Sequence, residues 1–153
     1  NNISDLPPEL LRKGRFDEIF FVDLPTRSER KNIFQIHLNK YGQTGITDFD
    51  SLADKSKLFN GAEIEESVKE AMFLSYVEDD EKTQVSIRHL EKAIEQIVPL
   101  AQTMKPKIDW LREFASTRTR LASSEENIEK IDGGDQAETK VVITKREKQE
   151  NIF

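Results

Sequence analysis

The chain has 153 residues, 36% of them hydrophobic and 34% charged, with a formal net charge of −6 and no cysteine. Such a length buries one modest core, or a small domain with extensions. The acidic balance excludes broad nonspecific nucleic-acid binding while leaving room for a local basic patch, and the lack of thiols excludes disulfides and thiolate metal sites, which is compatible with a reducing compartment. No apolar stretch approaches the roughly 20 residues needed to span a bilayer. The sequence opens at Asn1 with neither a basic nor an apolar leader and runs directly into a motif, so it reads as a fragment whose targeting information lies elsewhere.

Asn1 to Asp5 is a polar lead-in. Pro7-Pro8 blocks a helix before it, but Pro8 fits a first turn, so residues 8–11 read as a short helix stopped by Gly14. Ile19-Phe-Phe-Val22 is an apolar run with β-branched and aromatic bias, flanked by acids, which predicts a strand buried on both faces of a parallel sheet. One strand makes no sheet, so its partners are expected upstream or in another chain. From Thr26 the period becomes helical. Thr26-Arg-Ser-Glu29 is a capping box, and Ile33, Phe34, Ile36, His37, Leu38 and Tyr41 form a broad face that ends at Gly42. Asp48 caps a short helix reaching about Phe59. Asn60 caps the next, with Ile64, Val68, Ala71, Met72 and Ser75 at core spacing. Ser86 caps a fourth, striped by Ile87, Leu90, Ile94, Ile97 and Val98 and ended or kinked at Pro99. Four amphipathic helices with short connectors predict a small bundle. Pro106 opens one further helix with Ile108, Leu111 and Ala115 on a stripe beside Trp110 and Phe114. Arg112, Arg118 and Arg120 read as a solvated helix face rather than a basic strip. Residues 124–153 are rich in Glu, Lys, Asp and Gln with a Gly133-Gly134 break, and too poor in apolar side chains to offset ordering entropy.

The lead Pro8-Glu-Leu-Leu11, then Arg12-Lys-Gly14-Arg15 and the exit Phe16-Asp17, resembles the second region of homology of AAA+ ATPases, where Leu-Leu-Arg-x-Gly-Arg-Phe-Asp carries the arginine fingers. Arginine is suited to that task because its charge is fixed and its planar fork of donors matches a transferring phosphate. The order and spacing of the four helices resemble the lid subdomain that follows the AAA+ nucleotide-binding core. The resemblance spans Asn1 to about Thr103. It implies an α/β fold for the full domain, a P-loop AAA+ core, of which this chain is the mostly α part: the end of the nucleotide-binding core over residues 1–25, with the arginine-finger region and one core strand, a four-helix lid over 26–104, a C-terminal helix over 105–123 and a disordered tail over 124–153.

The resemblance also implies roles. Arg12 and Arg15 match the trans-acting fingers, and Asn1 the sensor asparagine that orients the attacking water, although by itself it is a loop amide at a chain start. His37, in Ile33-Phe-Gln-Ile-His37, matches the lid histidine lying against adenine and ribose. By spacing alone it fits a half-buried core histidine equally well. Gly61-Ala62, at the start of the third lid helix, matches a close backbone approach to the nucleoside, against the plain alternative of a helix-start glycine. The implied cofactors are ATP and Mg2+, and the implied assembly is a homo-oligomeric, hexameric ring acting on an unidentified protein. The implied location is the cytoplasm of a bacterium or the stroma of a plastid.

Parts of the pattern are missing. A phosphate-binding loop needs Gly-x4-Gly-Lys-Ser/Thr, and none of the six glycines is followed by lysine. Asp17-Glu18 precedes its strand and Asp23 is followed by leucine, so neither supplies the Asp-Glu metal site. This polypeptide alone is therefore expected to be inactive, with the phosphate loop and metal ligands upstream. No lid arginine follows Gly61, since Ala62-Glu-Ile-Glu65 stands there, which places the chain with the narrower AAA subgroup. His-Glu-x-x-His is absent, so the membrane-protease branch has no support. The region from Pro99 through Arg120 looks like the cyanobacterial and plastid-encoded AAA ATPases. Two alternatives stay open: a helical protein-interaction module, and a noncatalytic AAA+ ring subunit that donates its arginines without turning over.

Overall fold

Each of the first four helices begins where a short polar side chain can satisfy its first free amides. The computed structural model describes residues 3, 7, 9, 14, 16, 18–78 and 84–122. In it, α1 (Arg27–Lys40) starts at Thr26, whose Oγ1 accepts from Glu29 N at 3.3 Å while Glu29 Oε2 accepts from Thr26 N at 2.8 Å. The helix α2 (Phe49–Lys55) is capped by Asp48, and α3 (Gly61–Glu78) by a reciprocal Asn60–Glu63 pair at 3.0 and 2.7 Å. In α4 (Ile87–Gln96), Ser86 pairs reciprocally with His89. A single turn, α5 (Leu100–Thr103), leads to α6 (Lys105–Arg118), which carries proline in its first turn.

The core is the meeting of α3 with α4 and of α1 with α2 and α3. Phe34, Leu38, Leu52, Ile64, Val68, Ala71, Leu90 and Ala93 are sealed from solvent there. Each large side chain among them contributes roughly 1.5–3 kcal/mol by leaving water. Gln43 and Ser75 then tie down the α3–α4 connection, Gln43 Oε1 accepting from Val85 N at 2.8 Å and Ser75 Oγ donating to Gln84 O at 2.9 Å.

The chain is thus mostly helical, with one two-stranded parallel sheet. Its first strand, β1 (Phe20–Phe21), pairs with β2 (Arg120–Leu121) in the register Phe20 to Arg120 and Phe21 to Leu121. This corrects two expectations. The strand has a partner within this chain, downstream of it. It is also not buried on both faces here, since Phe20 is 57% and Val22 76% exposed.

Other boundaries shift for local reasons. The second helix stops at Lys55 rather than near Phe59: Ser56 caps it, its Oγ donating to Leu52 O at 2.7 Å, and Leu58 takes a left-handed backbone (φ 68°) before Phe59 enters the core from a loop. The fourth stops at Gln96, where Ile97 is already extended, and Val98 points to solvent. On α1, Ile36 is exposed, while Arg30, which the apolar pattern passed over, is buried. The anticipated solvated arginine face of α6 forms only in part: Arg118 and Arg120 are exposed, while Arg112 is withdrawn. Arg112 pairs with Asp23, Arg118 lies 4.7 Å from the Phe114 ring centroid, and Arg120 belongs to β2 and pairs with Glu18. Gly14 has φ +97°, a turn conformation that glycine adopts without strain. The expected helix over 8–11 and the tail 124–153 lie outside the described residues. Among the described residues, no helix is long and apolar enough to cross a membrane.

Candidate functional site: a cleft between the strand exit and three helices

The chain leaving β1 cannot continue straight, because Pro25 and the Thr26 cap redirect it into α1. Asp23, Leu24 and Pro25 become the floor of a cleft of ≈ 630 Å³. From α1, Glu29, Asn32 and Ile33 face it; from the start of α3, Asn60 and Gly61; from α6, Ile108 and Leu111. That volume lies in the range of small-ligand sites. Its walls are mainly aliphatic, with a few amide and carboxylate groups at the rim.

The expected nucleoside residues divide into two pairs. Ile33 and Gly61 come from helices separated in sequence and meet at the cleft. A Cβ built on Gly61 would meet no atom within 4 Å. Glycine is therefore not demanded by internal packing; its missing side chain leaves open space at the cleft wall. His37 and Ala62 are not among the cleft-lining residues. Ala62 is exposed. His37 lies one turn beyond Ile33, with its side chain 18% exposed and Nδ1 3.7 Å from Glu65 Oε1. That is too long for a hydrogen bond, and the buried Nδ1 has no hydrogen-bond partner. The expected catalytic residues Arg12, Arg15 and Asn1 lie outside the described residues.

Glu65, one turn beyond Gly61, gathers the surrounding donors. Its Oε1 accepts from Lys40 Nζ at 3.0 Å and from Tyr41 Oη at 3.0 Å, and lies 3.3 Å from Lys69 Nζ. The Lys40, Tyr41 and Lys69 bonds, in that order, draw its carboxyl down to about 2. It clips α1 to α3 beside the cleft.

Several lining residues gave no sequence signal of that role. Asn60 was legible only as a helix cap. Ile108 and Leu111 were legible as a helical stripe, but its destination was not. Asp23 and Arg112 are 89 positions apart, yet Arg112 Nε lies 2.8 Å from Asp23 Oδ2 and Nη2 2.9 Å from Oδ1. Arg30 holds the α1 wall from below, donating to Pro25 O and Ala53 O. Among the described residues, no three His, Asp or Glu side chains cluster as a metal site.

Comparison with known proteins agrees with the AAA resemblance. The chain is 46% identical over 126 residues to the AAA domain-containing protein ycf46 of Guillardia theta, a match covering 80% of this chain and 24% of that protein. It is 42% identical over 127 residues to ycf46 of Trieres chinensis, covering 81% and 25%. The proteasome-activating nucleotidase of Sulfurisphaera tokodaii is 39% identical over 97 residues, covering 63% of this chain and 24% of the nucleotidase. No family model matches the chain. It spans about a quarter of the length of the curated relatives it matches. By these relatives, the chain belongs to the AAA family.

Proposed function

We propose that this chain is the C-terminal part of an AAA+ ATPase, supplying the nucleotide-sensing lid and the arginine fingers for ATP hydrolysis in a hexameric ring. Residues 1–25 would be the end of the nucleotide-binding core, 26–104 the lid, and 105–123 an added helix. The observation that carries the reading is the convergence of Ile33 and Gly61 on one cleft at the exit of β1. Two aliphatic walls with a gap at Gly61 suit the faces of a planar base, and Asn32 and Asn60 are placed at its polar rim. Residues for Mg2+ and the phosphates would come from the remainder of the protein, where the metal would neutralise charge on the transferring phosphoryl group. Arg12 and Arg15 would be presented to the neighbouring subunit's nucleotide, and Asn1 would orient water. His37 would border the nucleoside from one turn beyond Ile33, beside Glu65, and Ala62 from the residue next to Gly61, at the outer surface. The setting would be a plastid stroma, which the algal AAA relatives named ycf46 support, or a bacterial cytoplasm.

Titration of the full-length protein with a fluorescent ATP analogue tests this. The wild type is expected to bind, and Ile33→Asp to weaken binding at least tenfold by placing a carboxylate against the base. A full-length protein that binds no nucleotide would overturn the reading in favour of an interaction module.

A further inference from the structure

We infer that α6 forms a third wall of the nucleoside cleft, with Ile108 and Leu111 contacting the base and the Arg112–Asp23 pair latching that wall in place. This rests on the nucleotide reading above and adds residues beyond the lid.

Of the apolar stripe of α6, Ala115 is buried, but Ile108 and Leu111 have no bundle core to cover. The helix packs on α5 and β2 rather than broadly on α1–α4. Ile108 and Leu111 are half-buried, and what they border is the cleft itself. Aliphatic atoms beside a gap forfeit dispersion contacts that a planar apolar group would restore. The same cleft is lined by Ile33 of α1 and by Gly61, which adds no side chain, at the start of α3. A ring seated there would touch aliphatic side chains of α1 and α6 and the backbone at the start of α3.

The wall is held at two points. Arg112 makes a forked contact with Asp23, itself a cleft residue, and the two side chains are only 20% and 6% exposed. Asp23 Oδ1 also accepts from Leu24 N at 2.7 Å, which fixes the carboxylate. A bidentate guanidinium–carboxylate pair sets orientation as well as distance. Past the helix end, Arg120 N donates to Ile19 O and Ala122 N to Phe21 O, both at 2.9 Å, so β2 binds the same strand whose exit floors the cleft. The position of α6 is therefore referred to the core strand, while α1 and α3 belong to the bundle. Movement of the bundle against the strand would open or narrow the space between Ile33 and Leu111, and a base bridging them would favour the narrow form.

The test uses the full-length protein, 2-azido-ADP as a photolabel and N-methylanthraniloyl-ADP for affinity. The photolabel is expected on the α6 peptide carrying Ile108 and Leu111. Leu111→Ala and Ile108→Ala should each raise Kd about tenfold, the loss expected when one side chain's apolar contact with a ring is forfeited, with unliganded melting temperatures close to wild type. Arg112→Gln should weaken binding mainly through faster release, and the charge-swapped Asp23→Arg with Arg112→Asp should recover part of it. If Ile33→Asp loses binding while both α6 variants bind like wild type and the label avoids α6, the third wall is refuted and the nucleotide reading stands. If wild type binds no nucleotide, both fall together.

Discussion

The guanidinium of Arg30 forks onto the carbonyl of Ala53, with Nε at 3.1 Å and Nη2 at 2.9 Å, while Nη1 reaches the carbonyl of Pro25 at 2.9 Å. The residue is 1% exposed. One side chain thus joins the end of α2, the strand exit and the first turns of α1, whose next turn carries Asn32 and Ile33 into the cleft. Arg30→Ala leaves both carbonyls short of a donor and opens a cavity, so a loss of about 2–4 kcal/mol is expected. Arg30→Lys should lie between, because a single ammonium cannot reproduce the planar fork. Chemical denaturation of the three proteins checks the ranking.

The contrast between Thr26 and Arg112 explains how much of this was legible from sequence. The caps at Thr26, Asp48, Asn60 and Ser86 are local: donor and acceptor lie three residues apart, so each helix start can be read directly. Helix ends were less legible because apolar periodicity runs on through loops, as Leu58 and Phe59 do after α2. The pairing of β1 with Arg120–Leu121 had no signal at all, since two residues carry no alternation. The Asp23–Arg112 contact likewise joins residues whose separation no pattern encodes. Of the residues lining the cleft, Ile33 and Gly61 were singled out through the AAA+ resemblance, whereas Ile108 and Leu111 needed the packing of α6 to show which way their stripe faces.

The Glu65 cluster sets an acid-side dependence of stability. Hydrogen bonds from Lys40, then Tyr41 and Lys69, hold the Glu65 carboxyl at about 2, below its ordinary 4.5. A depressed carboxyl stabilises the fold fully above its unfolded value and loses that contribution as pH falls through the folded one. The window is therefore from about 4.5 down to about 2. Water reaches the cluster, so the effect is modest. Thermal melts should show Glu65→Gln below wild type at pH 6, with the gap closing by pH 2. A gap independent of pH would mean that the carboxylate charge is not what clips α1 to α3.

Gly61 separates folding from binding. It occupies the first position of α3, its backbone needs no left-handed conformation, and an added Cβ meets nothing within 4 Å. Gly61→Ala should leave stability unchanged or raise it by up to about 1 kcal/mol through helix propensity. Gly61→Leu should also fold, while its side chain occupies the cleft and weakens nucleotide binding more than the alanine does. Melting curves and a nucleotide titration on the same two variants check both halves. A glycine needed only for folding would give the reverse order, with stability falling first.

The strongest test of the ring reading concerns Arg12 in the full-length protein. In AAA+ proteins, which this chain resembles, a subunit presents its arginine-finger corner to the nucleotide of its neighbour, so the active site exists only between subunits. Arg12 would be the outer finger, and Arg15, after Gly14, the second candidate that also braces the corner. An arginine finger contributes on the order of 10³ to 10⁵ in turnover by stabilising charge that develops in the transition state. Ground-state affinity need change little, because the contact is stronger in the transition state than before it. Arg12→Ala is expected to abolish ATP hydrolysis while nucleotide binding stays within a few-fold of wild type, and Arg12→Lys should not restore it. Mixing gives the decisive readout. Arg12→Ala subunits combined with subunits disabled in the phosphate loop should regain activity, since at mixed interfaces the first supplies a nucleotide pocket and the second a finger. If mixed rings form, stay inactive, and Arg12→Ala alone still hydrolyses ATP, Arg12 is a surface arginine and the trans arrangement is wrong.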